Sequence, residues 1–215
     1  MVGACATQTA SDDGSCEGDC PVACVSRPAL TEGPYFVDER LNRSDIRSDP
    51  SDGSVQAGVP LRLEINVFRP NGSTCDPLDG VNVDIWHANS QGVYSDVAEN
   101  GTVGQKFLRG YQVTDAHGAV EFTTVYPGWY PGRTVHIHFK LRTFSGDQTT
   151  YEFTSQLFFD ETVTGQVLSQ SPYNARGPSD TPNAQDGVFD EQLLLTPVAD
   201  GDGYIATFDI GIAAN

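Results

Sequence analysis

A strict alternation of apolar and polar side chains across residues 134–141 constrains the fold of this chain more than any other segment. Successive side chains of an extended strand point to opposite faces, so one face is apolar and the other carries His136, His138 and Lys140. Residues spaced i, i+2 in a strand are separated by roughly 6.5 to 7 Å. The two imidazoles are therefore close enough to bind one metal ion, although a solvated or hydrogen-bonded strand face has the same spacing.

Other segments repeat this period of two, and turn residues separate them. Predicted strands occupy residues 61–68, 81–86, 108–114, 120–124, 134–141, 152–158 and 204–212. The 22 glycines and 13 prolines interrupt short apolar runs, which favours many strands and little helix. We therefore predict an all-β fold, an antiparallel β-sandwich with long loops, with a barrel as the alternative. Residues 169–190 are rich in Pro, Asn, Gly and Asp, and we expect them to form a long ordered loop over the sandwich.

The composition suits one globular domain and argues against two classes of partner. Of 215 residues, 38% are hydrophobic, which is enough for one sizeable core. The 29 acidic residues against 12 basic ones give a net charge of -17, which repels nucleic acid and anionic lipid surfaces. No stretch approaches the roughly 20 apolar residues that span a bilayer, so no transmembrane segment is expected.

The first 26 residues are smaller, more polar and richer in cysteine than the rest of the chain. We interpret residues 1–26 as an arm and residues 27–215 as one β-sandwich domain. Residues 2–5 have the apolar, small, small, Cys order of a bacterial lipoprotein cleavage box. One hypothesis is that Met1 replaces a removed signal peptide and that Cys5 carries a lipid. A chance run of small residues is the alternative.

Four of the five cysteines lie in this arm. Such crowding is typical of disulfides formed in an oxidising compartment, and it predicts a secreted or extracytoplasmic protein. With Cys5 set aside, the preferred pairing is Cys24 with Cys75 and Cys16 with Cys20. Zinc binding by Cys16, Cys20 and Cys24 is the competing interpretation.

Two tyrosines are candidates to join the histidine pair. Tyr94 lies in the loop that follows a predicted strand, and Tyr130 lies in a Gly/Pro-rich loop six residues before His136. Mixed phenolate and imidazole ligation suits ferric iron better than zinc, copper(I) or calcium. The set Tyr94, Tyr130, His136 and His138 would therefore hold one Fe(III) per chain. The alternative is that each tyrosine packs in the core or at its rim, with its hydroxyl bonded to the backbone.

The order of short motifs gives these residues a more specific interpretation. The motifs are Thr31-Glu-Gly-Pro-Tyr35, Asp84-Ile-Trp86-His-Ala-Asn89-x-x-Gly92-x-Tyr94, Pro127-Gly-x-Tyr130-Pro, Arg133-x-x-His136-Ile-His138-Phe and Gln156-x-x-Phe159. In these motifs, between about residues 30 and 160, the chain resembles the intradiol ring-cleavage dioxygenases. These are non-haem Fe(III) enzymes that open catechols between the two hydroxyl-bearing carbons.

The resemblance implies a role for each residue of the site. The metal ligands would be Tyr94, Tyr130, His136 and His138, and Tyr130 would be the ligand that substrate displaces and protonates. Arg133 would stabilise negative charge on the substrate, and Gln156 would orient the ligand histidines. Candidates for the substrate wall are Gly33, Pro34, Tyr35, Trp86 and Trp129, with ordinary core or loop packing as the alternative for each. We expect His87 and His117 to be exposed and not to bind the metal.

The activity implied is cleavage of catechol or substituted catechols with O2, giving cis,cis-muconate-type diacids. The chain resembles a secreted branch, because no helical N-terminal region matches the dimer linker of catechol and hydroxyquinol dioxygenases. The alternative function is a non-catalytic, transthyretin-like β-sandwich with a degenerate or copper-binding site. Extradiol cleavage would need Fe(II) held by two histidines and a carboxylate, and no carboxylate stands at the matching position.

Overall fold

The structure, a computed structural model, describes residues 25–72 and 74–213. The strands are β1 (Pro60–Asn71), β2 (Thr74–Pro77), β3 (Asn82–Trp86), β4 (Arg109–Val113), β5 (Ala119–Val125), β6 (His136–Ser145), β7 (Gln148–Phe159), β8 (Leu194–Leu195), β9 (Val198–Asp200) and β10 (Gly203–Gly211). One α-helix, α1 (Glu161–Leu168), occurs in this part of the chain. Short 3₁₀ turns cover Ala98–Asn100, Tyr173–Arg176, Asn183–Gln185 and Glu191–Leu193.

The strands form two sheets that pack face to face. One sheet has the order β2-β1-β10-β9, with β5 also paired to β1, and the other has the order β4-β3-β6-β7-β8. The predicted β-sandwich with little helix is thus confirmed. Most neighbours are antiparallel, as expected, but β1 with β10 and β7 with β8 are parallel. A parallel pair needs a long connection, and each of these pairs joins strands that are far apart in sequence.

The core lies between the sheets and follows the period of two. Leu63 and Ile65 of β1 are fully buried, as are Ile137 and Phe139 of β6, and all four belong to one apolar cluster. Each such side chain stabilises the fold by about 1.5–3 kcal/mol through burial. The apolar residues of the alternation in β6 therefore point into the core.

The outward face of β6 is also buried, because the segment 31–36 covers it. His136 and His138 are almost inaccessible, and Lys140 has only 4% relative exposure. The Lys140 ammonium lies 4.3 Å from the centre of the Phe36 ring and forms an ion pair with Glu32. The alternating sequence of β6 is typical of a strand with one exposed face, but both of its faces are covered. The two imidazoles therefore lie in a buried site.

Helix α1 and strands β2, β8 and β9 were not predicted. The α1 segment contains two threonines, two valines and a glycine, which are poor helix formers, so its local signal is weak. Its start is set by Asp160, whose side chain accepts hydrogen bonds from the backbone of Thr162 and Val163. The three strands have two to four residues, too few to show a period of two.

The segment after α1 packs onto the sandwich as predicted for residues 169–190. The buried Tyr173 hydroxyl donates to the Tyr126 carbonyl at 2.6 Å, and Gln91 donates to the carbonyl of Pro172 at 2.7 Å. These contacts hold the segment against the loops that carry the candidate site.

The predictions for the arm concern residues that the structure mostly leaves undescribed. Cys5, Cys16, Cys20 and Cys24 lie outside the described residues, so both the disulfide pairing and the zinc alternative remain predictions. The same holds for lipidation of Cys5 and for the boundary at residue 26. Within the described ranges, no helix is long and apolar enough to cross a membrane.

Candidate metal centre

Four side-chain donor atoms from three segments of the chain meet at one point, where the other three surround His136 Nε2. From His136 Nε2, the distance is 3.1 Å to His138 Nε2 and 3.2 Å to the Tyr130 hydroxyl. It is 3.4 Å to the Tyr94 hydroxyl. Two adjacent donors around one ion, each bonded at about 2.0–2.1 Å, lie about 3.0–3.4 Å apart. The cluster therefore has the spacing of ligands that share one metal ion.

Local backbone geometry brings the two tyrosine loops together. The Asn89 side chain accepts hydrogen bonds from the backbone of Gln91 and Val93, which forms a tight turn after β3. At its apex, Gly92 has φ +73°, and a Cβ there would lie 2.1 Å from the carbonyl oxygen of Trp129. Only glycine satisfies both the left-handed backbone and this close approach. Trp129 precedes the second tyrosine, so the contact at Gly92 sets the distance between the two loops.

The histidine hydrogen bonds fix which nitrogen faces the cluster. His136 Nδ1 lies 2.7 Å from the carbonyl oxygen of Thr134, and a carbonyl only accepts. Nδ1 therefore carries the proton, which leaves the lone pair of His136 Nε2 directed at the other donors. His138 Nδ1 is buried and has no hydrogen-bond partner among the described residues, so the polar contact of this ring is through Nε2.

Burial sets the protonation of all four groups. It lowers the pKa of His136 to about 3 and the pKa of His138 well below its usual value, so both are neutral bases at pH 7. Burial raises the pKa of Tyr94 well above its usual value, and it also raises the pKa of Tyr130. Both tyrosines therefore stay protonated unless a cation binds between them. Two imidazole lone pairs and two phenols that need a strong positive charge to ionise fit Fe(III).

The donor set contains no carboxylate. Across residues 25–72 and 74–213, no group of three or more His, Cys, Asp or Glu side chains is placed to hold a metal. The two-histidine, one-carboxylate arrangement that extradiol chemistry needs is thus missing from the described chain.

Arg133 lies beside the cluster and is held on two sides. Its Nε donates to Asp186 Oδ2 at 2.8 Å, and its Nη2 donates to Gln156 Oε1 at 2.5 Å. The Gln156 amide in turn donates to the Thr31 carbonyl at 2.9 Å. Gln156 is fully buried and pairs with His138 across β6 and β7. It therefore connects Arg133, strand β6 and the covering segment 31–36.

The predicted wall residues Gly33, Pro34 and Tyr35 occupy three different positions. A Cβ on Gly33 would lie 3.4 Å from His138 Cε1, so this glycine lies against the His138 ring. The Tyr35 ring is 4.6 Å from that of Tyr94, centre to centre. Pro34 is exposed in the turn between them.

The two tryptophans pack against neighbouring residues and do not line the cavity beside the tyrosines. Trp86 stacks on His138 with ring centres 4.9 Å apart and planes 8° apart, and it is buried behind that imidazole. Trp129 donates from Nε1 to the carbonyl of Gly177 at 3.0 Å, so its ring contacts the 169–190 segment. These placements correspond to the packing alternative, and a substrate-contacting role for either ring remains a prediction.

The prediction that His87 is exposed is wrong, whereas His117 is exposed as expected. His87 is buried between the sheets, with Nε2 2.7 Å from the Thr124 hydroxyl and Nδ1 2.9 Å from the Ala88 carbonyl. Strand alternation correctly placed His87 and Trp86 on opposite faces of the chain, but the face that carries His87 packs against the second sheet.

A cavity of about 370 Å³ opens beside the two candidate tyrosine ligands. It is lined by Tyr35, Gly92, Val93, Tyr94, Asn100, Tyr130, Pro131 and Arg176. A larger cavity of about 500 Å³ lies between α1 and residues 169–182, and it includes only Thr134 from the segment that leads into β6. The smaller cavity is the one that contains metal-donor residues.

Comparison with known proteins places the chain in a family. A family model described as "Dioxygenase" matches residues 31–175, a range that contains all four donors, Arg133 and Gln156. The chain belongs to the intradiol ring-cleavage dioxygenase family. Its sequence is 30% identical over 149 residues to catechol 1,2-dioxygenase 1 of Acinetobacter lwoffii, covering 59% of this chain and 45% of the relative. It is 27% identical over 203 residues to catechol 1,2-dioxygenase of Acinetobacter baylyi, covering 81% of this chain and 63% of the relative.

The chain spans less than two thirds of the length of these two curated relatives. A solved structure matches over a larger share of both proteins. The intradiol ring-cleavage dioxygenase from Tetranychus urticae is 31% identical with a TM-score of 0.75, covering 88% of this chain and 94% of that one. The architecture of this family member is thus that of a known intradiol dioxygenase.

Three side chains near the candidate site of this family member were missed by sequence reasoning. Asp186 holds Arg133, and Glu32 holds Lys140 under the covering segment. Arg176 borders the cavity. Asp186 and Arg176 lie outside the motifs, and the motif that contains Glu32 does not relate it to Lys140. Their contacts could not be predicted, since they join segments that are distant in sequence.

Proposed function

We propose that this protein is an Fe(III)-dependent intradiol dioxygenase that cleaves catechol or substituted catechols with O2, producing cis,cis-muconate-type diacids. The observation that carries the proposal is the convergence of three donors within 3.4 Å of His136 Nε2. Fe(III) held by Tyr94, Tyr130, His136 and His138 would supply Lewis acidity that ionises the catechol and activates its ring toward O2.

The two tyrosines differ in a way that assigns them different tasks. Tyr94 is 1% exposed and lies deep in the site, which suits a permanent ligand. Tyr130 is partly exposed, which suits a residue that meets the incoming substrate. We assign to Tyr130, as the phenolate that it would become when a cation binds, the role of accepting a proton from the incoming catechol. The second catechol proton would pass to solvent.

Arg133 would stabilise negative charge that develops on the substrate ring. Asp186 and Gln156 hold its guanidinium at two nitrogens, so it needs no reorganisation when that charge appears. Gly33 leaves space above His138, and Tyr35 borders the cavity next to Tyr94. These residues would orient the ring between the ligands and the arginine.

The test is reconstitution with ferric iron followed by optical spectroscopy and product analysis. We expect a visible tyrosinate-to-iron charge-transfer band, O2 uptake with catechol, and a product that absorbs as a muconate. Tyr94→Phe and His138→Ala should lose the band and lower kcat by at least about 100-fold. Tyr111→Phe, which removes a tyrosine hydroxyl on β4, is the matched control and should keep both.

Two results would reject the proposal. An iron-loaded protein that is colourless and does not cleave catechol would instead favour the transthyretin-like binding module. A yellow semialdehyde product would indicate extradiol cleavage. Full activity of Tyr94→Phe would remove that residue from the ligand set.

We also infer that the protein acts outside the cytoplasm, anchored through Cys5 or secreted. The crowding of cysteines before residue 25 supports this location. Mass spectrometry of native protein extracted from membranes should find a lipid on Cys5, and alkylation without reductant should leave the other four cysteines unmodified. An unmodified Cys5 in that sample would refute anchoring, and alkylation of all the thiols would refute the oxidising compartment.

A further inference from the structure

Arg176 lies at the border of the cavity beside the tyrosines, and two contacts hold it there. Its guanidinium carbon is 4.7 Å from the centre of the Trp129 ring, and its Nη1 donates to the Gln91 carbonyl at 2.8 Å. Gln91 and Trp129 belong to the two loops that carry the tyrosine ligands. The charged end of Arg176 is thus positioned against both loops.

The charge of Arg176 is not balanced by a neighbouring acid. No carboxylate of the described residues lies within ion-pair distance of it, in contrast to Arg133 and Lys140, which pair with Asp186 and Glu32. Its Nε is buried and has no hydrogen-bond partner in the described chain. A chain with 29 acidic residues and 12 basic ones thus keeps an unpaired cation at this cavity.

The cavity itself favours an anion at this end. Its lining contains no Asp or Glu, and the Asn100 side chain borders it as well. Guanidinium groups bind carboxylates through two parallel hydrogen bonds, and amide groups add a further donor. A volume of about 370 Å³ is at the lower end of the range for small-molecule sites, which suits a ligand with one aromatic ring.

We propose that Arg176 selects catechols that carry a carboxylate on the ring. The inference rests on the proposed function, in which the two catechol oxygens bind at the tyrosine end of the cavity. The carboxylate would then lie at the other end, paired with Arg176. The competing explanation is that Arg176 only fastens the 3₁₀ turn Tyr173–Arg176 to the Gln91 carbonyl.

Substrate comparison in iron-loaded variants separates these explanations. The measured quantity is kcat/KM for 3,4-dihydroxybenzoate divided by kcat/KM for catechol. The unsubstituted protein should prefer the carboxylated substrate, and Arg176→Gln should lower this ratio by about 10- to 100-fold, mainly through the KM of the carboxylate. Arg176→Lys keeps the charge without the planar guanidinium, so its ratio should lie between those of the unsubstituted protein and Arg176→Gln. Arg69→Gln removes one exposed charge on β1 and should leave the ratio unchanged.

An equal loss for both substrates in Arg176→Gln would overturn the proposal and indicate a purely structural role. A preference of the unsubstituted protein for catechol would also overturn it. If the iron-loaded protein cleaves neither substrate, the proposed function fails, and calorimetric binding of 3,4-dihydroxybenzoate and catechol decides the role of Arg176 independently. Weaker binding of the carboxylated ring alone in Arg176→Gln supports the inference, and equal binding refutes it.

Discussion

Replacing Gly92 by alanine should separate the two loops that carry Tyr94 and Tyr130, the proposed tyrosine ligands. The new Cβ would lie 2.1 Å from the carbonyl oxygen of Trp129, where ordinary contacts exceed 3 Å. One of the loops must therefore move by about 1 Å, a backbone shift of the overpacking type that costs about 1–3 kcal/mol. The left-handed backbone at φ +73° adds about 1–2 kcal/mol for any residue with a Cβ.

Gly80 is the matched control for this experiment. Its φ is +76°, and a Cβ there meets nothing within 4 Å among the described residues, so Gly80→Ala carries only the backbone cost. For a chain of this length, 1 kcal/mol corresponds to about 2–4 °C in Tm. We expect Gly80→Ala to lower Tm by about 2–8 °C and Gly92→Ala by about 4–20 °C.

The two variants should also differ at the metal site. Gly92→Ala moves one tyrosine relative to the other, so it should lower ferric iron affinity and weaken the charge-transfer band, whereas Gly80→Ala should keep both. Differential scanning calorimetry and ferric titration followed by absorbance measure these effects. If the two variants have equal Tm and equal iron affinity, the contact between Gly92 and Trp129 does not set the ligand spacing.

Two further predictions concern buried polar groups. Asp186→Asn removes the charge that pairs with Arg133, so it should lower the free energy of unfolding by about 1.5–3 kcal/mol and also reduce kcat. Asp180→Asn, an exposed control in the same segment, should change the free energy of unfolding by less than about 0.5 kcal/mol. Equal effects of the two variants in urea unfolding would contradict this prediction. Burial lowers the pKa of His87 from 6.5 to about 4, so the unfolded chain binds a proton between these pH values and the folded one does not. The stability that the folded protein gains from keeping His87 neutral is fully present above pH 6.5. It is lost as the pH falls to 4, and the loss of folding free energy is about 3 kcal/mol. In metal-free protein the stability lost between pH 7 and 4 should be smaller by this amount in His87→Gln, and identical pH profiles for the variant and the unsubstituted protein would refute the assignment.

Periodicity predicted the strands because it is a local property. The alternation across residues 134–141 placed Ile137 in the core and His136 with His138 on the other face, and the structure confirms both placements. The motif order likewise identified the family, because each motif is a short local constraint of backbone and side chain. Helix α1 and the shortest strands escaped prediction since their few residues show no clear period.

Distances between remote segments could not be predicted in this way. The sequence by itself determined which residues of β6 share a face and which two loops carry tyrosines. Only the tertiary structure decided that the tyrosine hydroxyls lie 3.2 and 3.4 Å from His136 Nε2. It also decided that Asp186 holds Arg133, that Arg176 borders the cavity without an acidic partner, and that His87 is buried between the sheets. The physical reason is that strand geometry orients neighbouring side chains, whereas packing of the two sheets and the 169–190 segment brings distant ones together.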